Sequence, residues 1–238
     1  IIFFLTISFY SYIKVLEKNN TYWLLLMLIC GILAGSMHSG VLFILVGYIY
    51  SLFDMRIKKS GIDVSIILSL IMLIILTMFV YSRYGDNLLK KISFEDNEEL
   101  YNIFNRRRGN SSYLLGYEVT SVKTFILYMP LRVLFFLISP LPHMWRGVSD
   151  VITFILDSSI YIFLIIKVII SKYQEFEYRY IIKGIIFSLI LVSIIFGMGV
   201  FNTGTAIRHR AKFLYLVVTL LALLDKANKN NIKFNSLS

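Results

Sequence analysis

The sequence predicts an all-α, polytopic integral membrane protein with about six or seven transmembrane helices plus one interfacial or re-entrant segment. Of its 238 residues, 58% are hydrophobic and 16% are charged, whereas soluble domains contain about 45–50% apolar and about 25% charged residues. The apolar residues gather in runs of about 13–20, which is the length scale of a membrane span. Mean hydropathy is +0.75. These observations disfavour a soluble enzyme, a secreted disulfide scaffold and a disordered chain.

The first apolar stretches predict short helices in series. Residues 1–13 are typical of the end of a membrane helix, and no Met or charged leader precedes them, so we expect the C-terminal part of a longer protein. Residues 21–53 are all but continuously apolar, and one straight helix there would measure about 50 Å against about 30 Å of hydrocarbon. The break Gly35-Ser36-Met37-His38-Ser39-Gly40 therefore predicts two short helices or one interrupted helix.

Three further strong spans and one short one are predicted along the rest of the chain. The strong spans cover residues 64–81, 151–170 and 181–200, and the short last span covers residues 213–224. An Asn- and Lys-rich segment, residues 225–238, then forms a predicted cytoplasmic tail. We treat residues 1–238 as a single membrane domain.

The orientation of these spans depends on one proline-rich segment. Residues 125–146 hold all three prolines together with Arg132, and an arginine is costly at the centre of a membrane. We therefore favour an interfacial or re-entrant segment there, which makes residues 82–124 an extracytoplasmic loop. If the segment spans instead, everything before it inverts. The favoured topology places Lys-bearing short loops inside, as the positive-inside rule requires.

The net charge of +10 is divided unevenly in this topology. Eight of the ten arginines and all three histidines fall outside, against four of the fourteen lysines. Arginine presents a planar fork of donors that grips phosphate or carboxylate in two places. The segregation indicates an outward-facing site for an anionic substrate, with chance and the chosen topology as the alternative. The single cysteine, Cys30, excludes an intrachain disulfide.

The loop from Asn202 to Arg210 is the first candidate site. If the loop is extended, Arg208 and Arg210 point to one side and can clamp a diphosphate; if it is helical, they diverge by about 200°. Gly204 permits close backbone approach, and Thr203 or Thr205 is a candidate helix cap. Ordinary interfacial arginines that reach lipid headgroups are the alternative.

A second candidate is the proline-rich segment, in which Arg132 and Arg146 flank a rigid backbone with an interfacial Trp145. Such a platform can position a lipid-linked substrate, and a helix-hairpin corner is the alternative. His38, at the helix break, is a candidate base or phosphate ligand, with a purely structural role as the alternative.

Two weaker candidates follow. Asp157 lies inside a predicted span, so it is either functional, at the interface, or paired with an arginine. The basic turn of Arg106, Arg107 and Arg108 either contacts glycan or phosphate or is a solvated charge run. The sequence has no P-loop, HExxH or Cys/His cluster, so we expect metal-independent chemistry without a cofactor.

In their order along the chain, these motifs resemble those of the EpsG-like and Wzy-type polysaccharide polymerases. The resemblance covers most of residues 31–224. It rests on Ala34-Gly35-Ser36-Met37-His38-Ser39-Gly40, on the Arg cluster with Gly109-Asn110-Ser111-Ser112-Tyr113, on Pro130-x-Arg132 with Phe136-Leu137-x-Ser139-Pro140-x-Pro142-x-x-Trp145, and on Asn202-x-Gly204-Thr205-x-x-Arg208-x-Arg210. The chain departs from the pattern in its short N-terminus and in His143-Met144.

The resemblance implies a GT-C-like helical bundle in the bacterial plasma membrane that joins repeat units of O-antigen, capsule or exopolysaccharide. The units are carried on undecaprenyl diphosphate, which leaves as a sugar hydroxyl attacks. Arg208 and Arg210, with Arg132 and Arg146, would hold the diphosphate, and His38 or His209 would serve as base.

The expected partners are the lipid-linked oligosaccharides, the bilayer and other polysaccharide-assembly proteins, without nucleic acid. A glycan ligase is the alternative within the same class. A transporter or flippase is the alternative from another class, although it would usually place charged groups deep in several helices. A nonenzymatic scaffold is the third possibility.

Overall fold

We describe the protein from a computed structural model that covers residues 1–60, 112–114, 117–171 and 173–235. Within these ranges all regular secondary structure is helical, which confirms the all-α class. The predicted span at residues 64–81 and the basic turn at residues 106–108 lie outside the described residues. The chain divides into two compact units, the first formed by Ile1–Leu76, Phe163–Val192 and Lys212–Ser238, and the second by Thr77–Ile162 and Ser193–Ala211.

Nine α-helices, numbered in chain order, are described. They are α1 (Ile2–Lys18), α2 (Thr21–Met37), α3 (Leu42–Ser60), α4 (Val122–Ile138), α5 (Val148–Thr153), α6 (Ser159–Ile170), α7 (Arg179–Gly199), α8 (Thr203–Arg210) and α9 (Leu214–Asn235). A π-helical segment, Phe154–Ser158, joins α5 to α6. Short 3-10 turns cover Ser39–Val41, Pro142–Met144, Tyr173–Glu175 and Ala211–Phe213.

Two adjacent asparagines form the turn between α1 and α2. Asn19 ends α1 in the left-handed conformation at φ 49° and ψ 43°, and its N–H donates to the Val15 carbonyl over 3.0 Å. Asn20 begins α2, because its side-chain oxygen accepts the Tyr22 N–H at 2.8 Å. Asparagine is favoured at both kinds of helix end. The turn lets α1 and α2 pack against each other along their length.

The predicted break in residues 34–40 is confirmed as two helices that meet at His38. The first ends at Met37, and the His38 N–H donates to the carbonyls of Ala34 and Gly35, each over 3.1 Å. His38 itself is extended, and a 3-10 turn from Ser39 leads directly into α3. The change of direction therefore puts the imidazole at a helix end.

Two helices in the described part of the chain are long and apolar enough to cross a membrane. They are Val148–Ile170, with 23 residues, and Arg179–Gly199, with 21. The predicted spans at residues 151–170 and 181–200 coincide with them. Thr21–Met37 and Ser39–Met55 are apolar but shorter.

Two segments extend further as helix than the sequence pattern indicates. Residues 125–140 lie largely in α4, which begins with a reciprocal cap between Ser121 and Thr124 and contains Pro130. The helix ends just before Pro140, as expected because proline disfavours helical backbone in the preceding residue. The predicted tail from residue 225 continues α9 as far as Asn235, since no glycine or proline interrupts it.

Stacked tyrosines and their hydroxyl groups form the polar centre of the first unit. The rings of Tyr12 and Tyr48 stack at 4.3 Å between centroids. The Tyr12 hydroxyl bonds to the Ser51 hydroxyl and donates to the Tyr180 carbonyl over 3.1 Å. Tyr48 and Tyr215 share a hydroxyl–hydroxyl bond of 3.3 Å. Hydrogen bonding offsets the cost of burying these polar groups among apolar helices.

Helices α3 and α7 approach each other closely at Gly47 in the first unit. A Cβ placed on Gly47 would lie 2.5 Å from the Ser188 backbone nitrogen and 2.7 Å from its Cα. The Ser188 hydroxyl also donates to the Ile44 carbonyl over 2.8 Å. A residue without a side chain is therefore required for this contact, in the manner of small-residue packing between membrane helices.

We expect Gly47→Ala to lower the free energy of unfolding by about 1–3 kcal/mol, because backbone must shift to admit the methyl group. The matched control is Gly199→Ala, since a Cβ at Gly199 meets no atom within 4 Å. Thermal unfolding of the purified protein in detergent measures both variants. Equal behaviour of the two would contradict the close approach.

Candidate functional site

The buried arginine Arg210 is the centre of the second unit. Its side chain is completely buried. Nη1 donates to the carbonyls of Phe136 and Leu137 over 3.0 and 2.6 Å, and Nη2 donates to the Ser139 carbonyl over 2.6 Å. The last carbonyls of a helix have no partner within it and carry partial negative charge. Arg210 therefore caps the C-terminal end of α4.

Asp157 supplies the negative charge that balances Arg210. Its Oδ2 lies 2.5 Å from the Arg210 Nη2, and it belongs to the π-helical segment Phe154–Ser158. The next residue, Ser158, donates its hydroxyl to the Ser139 carbonyl over 2.7 Å. Of the alternatives predicted for Asp157, the structure shows the one in which it pairs with an arginine. Segments of this helical type occur frequently at functional sites.

Tyr161 completes the surroundings of Arg210. Its hydroxyl donates to the Arg210 carbonyl over 3.3 Å, and the guanidinium lies 5.6 Å from its ring centroid. Burial lowers the pKa of Arg210, while the charge of Asp157 acts in the opposite direction. Because the ordinary pKa of arginine is above 12, the group keeps its positive charge.

Helix α8 begins at Asn202, whose side-chain oxygen accepts the Thr205 N–H over 2.8 Å. The predicted caps, Thr203 and Thr205, instead occupy the first and third positions of the helix. Asn202 also pairs with Ser112 through an isolated backbone bridge. This brings the Ser112-Tyr113 motif and the Asn202 motif together.

Tyr113 strengthens that junction. Its N–H donates to the Phe201 carbonyl over 3.0 Å, and its hydroxyl donates to the Val200 carbonyl over 2.9 Å. Its ring lies 5.7 Å from that of Phe135 on α4. Burial raises the pKa of the Tyr113 hydroxyl, so this group remains a hydrogen-bond donor at neutral pH.

Arg208 and Arg210 adopt the helical alternative, because both belong to α8. Two residues apart on a helix diverge by about 200°. Arg208 is exposed and Arg210 is buried. The two side chains therefore do not form the predicted diphosphate clamp together. His209, between them, is half-buried and stacks on Phe196 at 4.4 Å.

The remaining predicted arginines of this unit occupy different environments. Arg132 is buried, and its guanidinium lies 5.1 Å from the Phe201 ring centroid. Arg146 is exposed, and its backbone N–H donates to Asp150 over 2.9 Å. The Trp145 indole N–H donates to the Pro140 carbonyl over 3.3 Å. These bonds fix the chain that leads from α4 to α5.

His38 belongs to the first unit and is half-buried. Burial and the positive charge of Lys212 lower the pKa of the imidazole. An unperturbed histidine has a pKa near 6.5, so His38 is neutral at pH 7 and can accept a proton. Within the described residues, no three His, Cys, Asp or Glu side chains gather to hold a metal ion.

Sequence reasoning missed the partners of Arg210. Its acceptors are main-chain carbonyls of Phe136, Leu137 and Ser139, about seventy residues away. Because every residue has such a carbonyl, the sequence contains no signal for them. Tyr161 could have been found, because it follows Asp157 by four residues and shares its face of the helix.

Comparison with known proteins identifies no relative of this chain. No protein-family model, no curated protein and no solved structure matches it. The resemblance to polysaccharide polymerases therefore stays a prediction.

Replacing Arg210 with methionine should strongly destabilise the protein. The change leaves Asp157 without its counter-charge and removes the guanidinium donor from three carbonyls, and breaking a buried pair costs about 3–5 kcal/mol. Arg208→Met is the matched control, since the same change at an exposed position costs about 0.5 kcal/mol or less. Thermal unfolding in detergent compares them, and similar losses would show that Arg210 is not a structural anchor.

The lowered pKa of His38 predicts a pH dependence of stability. In the unfolded chain His38 takes up a proton near pH 6.5, whereas in the folded protein it does so only at lower pH. The folded state therefore loses stability as the pH falls from about 6.5 through the folded pKa. We expect the melting temperature of His38→Gln to fall less than that of the wild type between pH 7.5 and pH 5.

The control for this measurement is His143→Gln, since His143 is exposed. It should follow the wild-type curve. A His38→Gln curve parallel to the wild-type one would mean that His38 does not experience the burial described above.

Proposed function

We propose that the protein is a multi-pass glycosyltransferase of the bacterial plasma membrane that polymerises undecaprenyl-diphosphate-linked repeat units into a surface polysaccharide. One observation carries this proposal: contacts within the second unit join three separate sequence motifs around buried arginines. Tyr113 donates a hydrogen bond to the Val200 carbonyl, just before Asn202. The Arg132 guanidinium lies over the Phe201 ring, and Arg210 donates to the carbonyls at the end of α4. These are the motifs on which the resemblance to polysaccharide polymerases rests.

The proposed membrane topology extends beyond the two long apolar helices. Helices α1 and α2 have 17 residues each, which corresponds to about 25 Å and to the lower limit for a span. With α3, α9 and the predicted span at residues 64–81 they bring the proposed total to seven, the upper end of the expected six or seven. Helix α4 is proposed to be interfacial or re-entrant, because Arg132 lies within it.

The proposed reaction transfers the growing glycan to a new repeat unit. A sugar hydroxyl of the incoming unit forms a bond to the anomeric carbon of the chain, and the bond from that carbon to the diphosphate breaks. The hydroxyl proton passes to a base, for which His209 is the candidate within the second unit. Undecaprenyl diphosphate leaves with the electron pair of the broken bond.

The arginines supply positive charge where the leaving group develops negative charge. Charge that is already in place lowers the barrier without reorganisation. Among the described residues of the second unit, Arg208 and Arg146 are the exposed arginines, so they are proposed to contact the diphosphate. Buried Arg132 adds a further positive charge to the same unit.

A transporter is less well supported by the ion pairs of the long helices. Three charged residues interrupt the predicted spans: Asp157, Lys167 and Lys183. Asp157 pairs with Arg210, Lys167 with Asp225 of α9, and Lys183 with Asp54 of α3. All three are thus committed to internal partners, whereas a carrier of anionic glycan needs charged groups available to its cargo.

The test is the size distribution of the surface glycan after deletion of the gene and complementation by variants. Deletion should remove long chains and leave single repeat units on their lipid carrier. Single units that fail to reach the outer face would favour a flippase, and an unchanged distribution would contradict both roles.

Complementation with Arg208→Lys should lower chain extension about tenfold or more while the protein still inserts, because lysine keeps the charge and loses the two-pronged fork. Lys123→Arg is the control, since it is an exposed basic residue at the start of α4 and should restore long chains. Normal extension by Arg208→Lys would remove Arg208 from the site.

A further inference from the structure

We propose that Arg210 and Asp157 are positioning residues, which fix helix α8 so that Arg208 faces the anionic diphosphate of the substrate. This inference rests on the proposed function. It assigns to Arg210 a role that differs from substrate binding, and it gives the intramembrane carboxylate Asp157 a purpose.

Helix α8 is too short to hold its direction by itself. Eight residues form only about two turns, and helices shorter than about 12–15 residues are marginal in water without tertiary contacts. The direction of α8, and with it the direction of Arg208, must therefore be set by its tertiary contacts.

The N-terminal end of α8 is held through Asn202. Its side chain caps the helix at the Thr205 N–H, and its backbone pairs with Ser112. One residue earlier, the Phe201 carbonyl accepts the Tyr113 N–H. These bonds fix the position of the helix start, so the rotation of the helix about its axis depends on the contacts further along it.

The C-terminal end is held by Arg210, which is the last residue of α8. Its Nη atoms donate three hydrogen bonds, to the carbonyls of Phe136, Leu137 and Ser139, and Nη2 also forms an ion pair with the carboxylate of Asp157. A planar fork held in this way has one orientation. Together with the stacking of His209 on Phe196, the anchor therefore sets the rotation of α8 about its axis.

This rotation directs Arg208 away from the anchor. Arg208 precedes Arg210 by two residues, about 200° around the helix, and it is exposed. Arg210 has no exposed surface, so a diphosphate could reach it only by displacing Asp157 and three carbonyls. The chemistry of substrate binding thus falls to Arg208, and Arg210 acts through it.

A double-mutant cycle on chain extension distinguishes positioning from other roles. The assay uses membranes that contain the full chain, and its probe is the lipid-linked single repeat unit extracted from the deletion strain. Asp157→Asn is expected to lower the rate per folded protein about tenfold when Arg208 is present, and by less than about twofold in the R208A variant, because groups that act as a unit are not additive.

The control for a merely structural effect is Gly47→Ala, which lowers stability through the first unit. Its effect on extension should be the same with and without the Arg208→Ala change. If Asp157→Asn lowers the extension rate by the same factor with and without the Arg208→Ala change, the positioning proposal is overturned. Should Asp157→Asn fail to insert, Arg210→Lys is the second variant for the same cycle, judged by the same criterion.

The failure of the proposed function is a separate outcome. Wild-type protein that extends no chain from the lipid-linked unit would overturn the polymerase assignment, and the positioning role with it. If the wild type extends chains but the effects of Asp157→Asn and Arg208→Ala are independent, the positioning role alone would be overturned.

Discussion

The buried guanidinium of Arg210 is the interaction on which the second unit depends. It meets two requirements at once, since the end of α4 needs hydrogen-bond donors and Asp157 needs a counter-charge. A lysine or a neutral donor would meet only part of them. Arg210 is also the last residue of α8. One residue therefore caps α4, forms the ion pair with Asp157 and joins α8 to both. Residues of the proline-rich segment are then fixed by hydrogen bonds between residues close in sequence, such as that from Trp145 to the Pro140 carbonyl.

The first unit is held together by a different means. Its helices approach closely where glycines take the place of larger residues, as at Gly47 beside Ser188 and at Gly184 beneath the Tyr12 hydroxyl. Tyrosine and serine hydroxyls then bridge the helices through main-chain carbonyls. Small residues and hydroxyl bonds are also what holds helices together where lipid offers no hydrophobic driving force.

The sequence predicts the helices well where composition alone decides. Glycine and serine around His38 indicate the break, and uninterrupted apolar runs indicate Val148–Ile170 and Arg179–Gly199. The continuation of α9 through its polar residues is missed, because a polar composition was interpreted as a tail although it contains no helix breaker.

Two residues of the Arg210 cluster are singled out from the sequence, but their arrangement is not. The sequence singles out Asp157 and Arg210 separately, and it leaves open whether the Arg208 loop is extended or helical. Pairing across 53 residues depends on tertiary packing, which no local pattern encodes. The helical conformation of this loop could have been predicted from Asn202, because asparagine is favoured at the residue before a helix.

The π-helical segment Phe154–Ser158 has a consequence for the two faces of the long helix Val148–Ile170. Such a segment is a wider turn within an α-helix. Here Asp157 pairs with Arg210 while its neighbours Ile155 and Leu156 stay on the exposed side, 59% and 67% accessible. The helix therefore directs one charged group inward and keeps an uninterrupted apolar face outward at the same level.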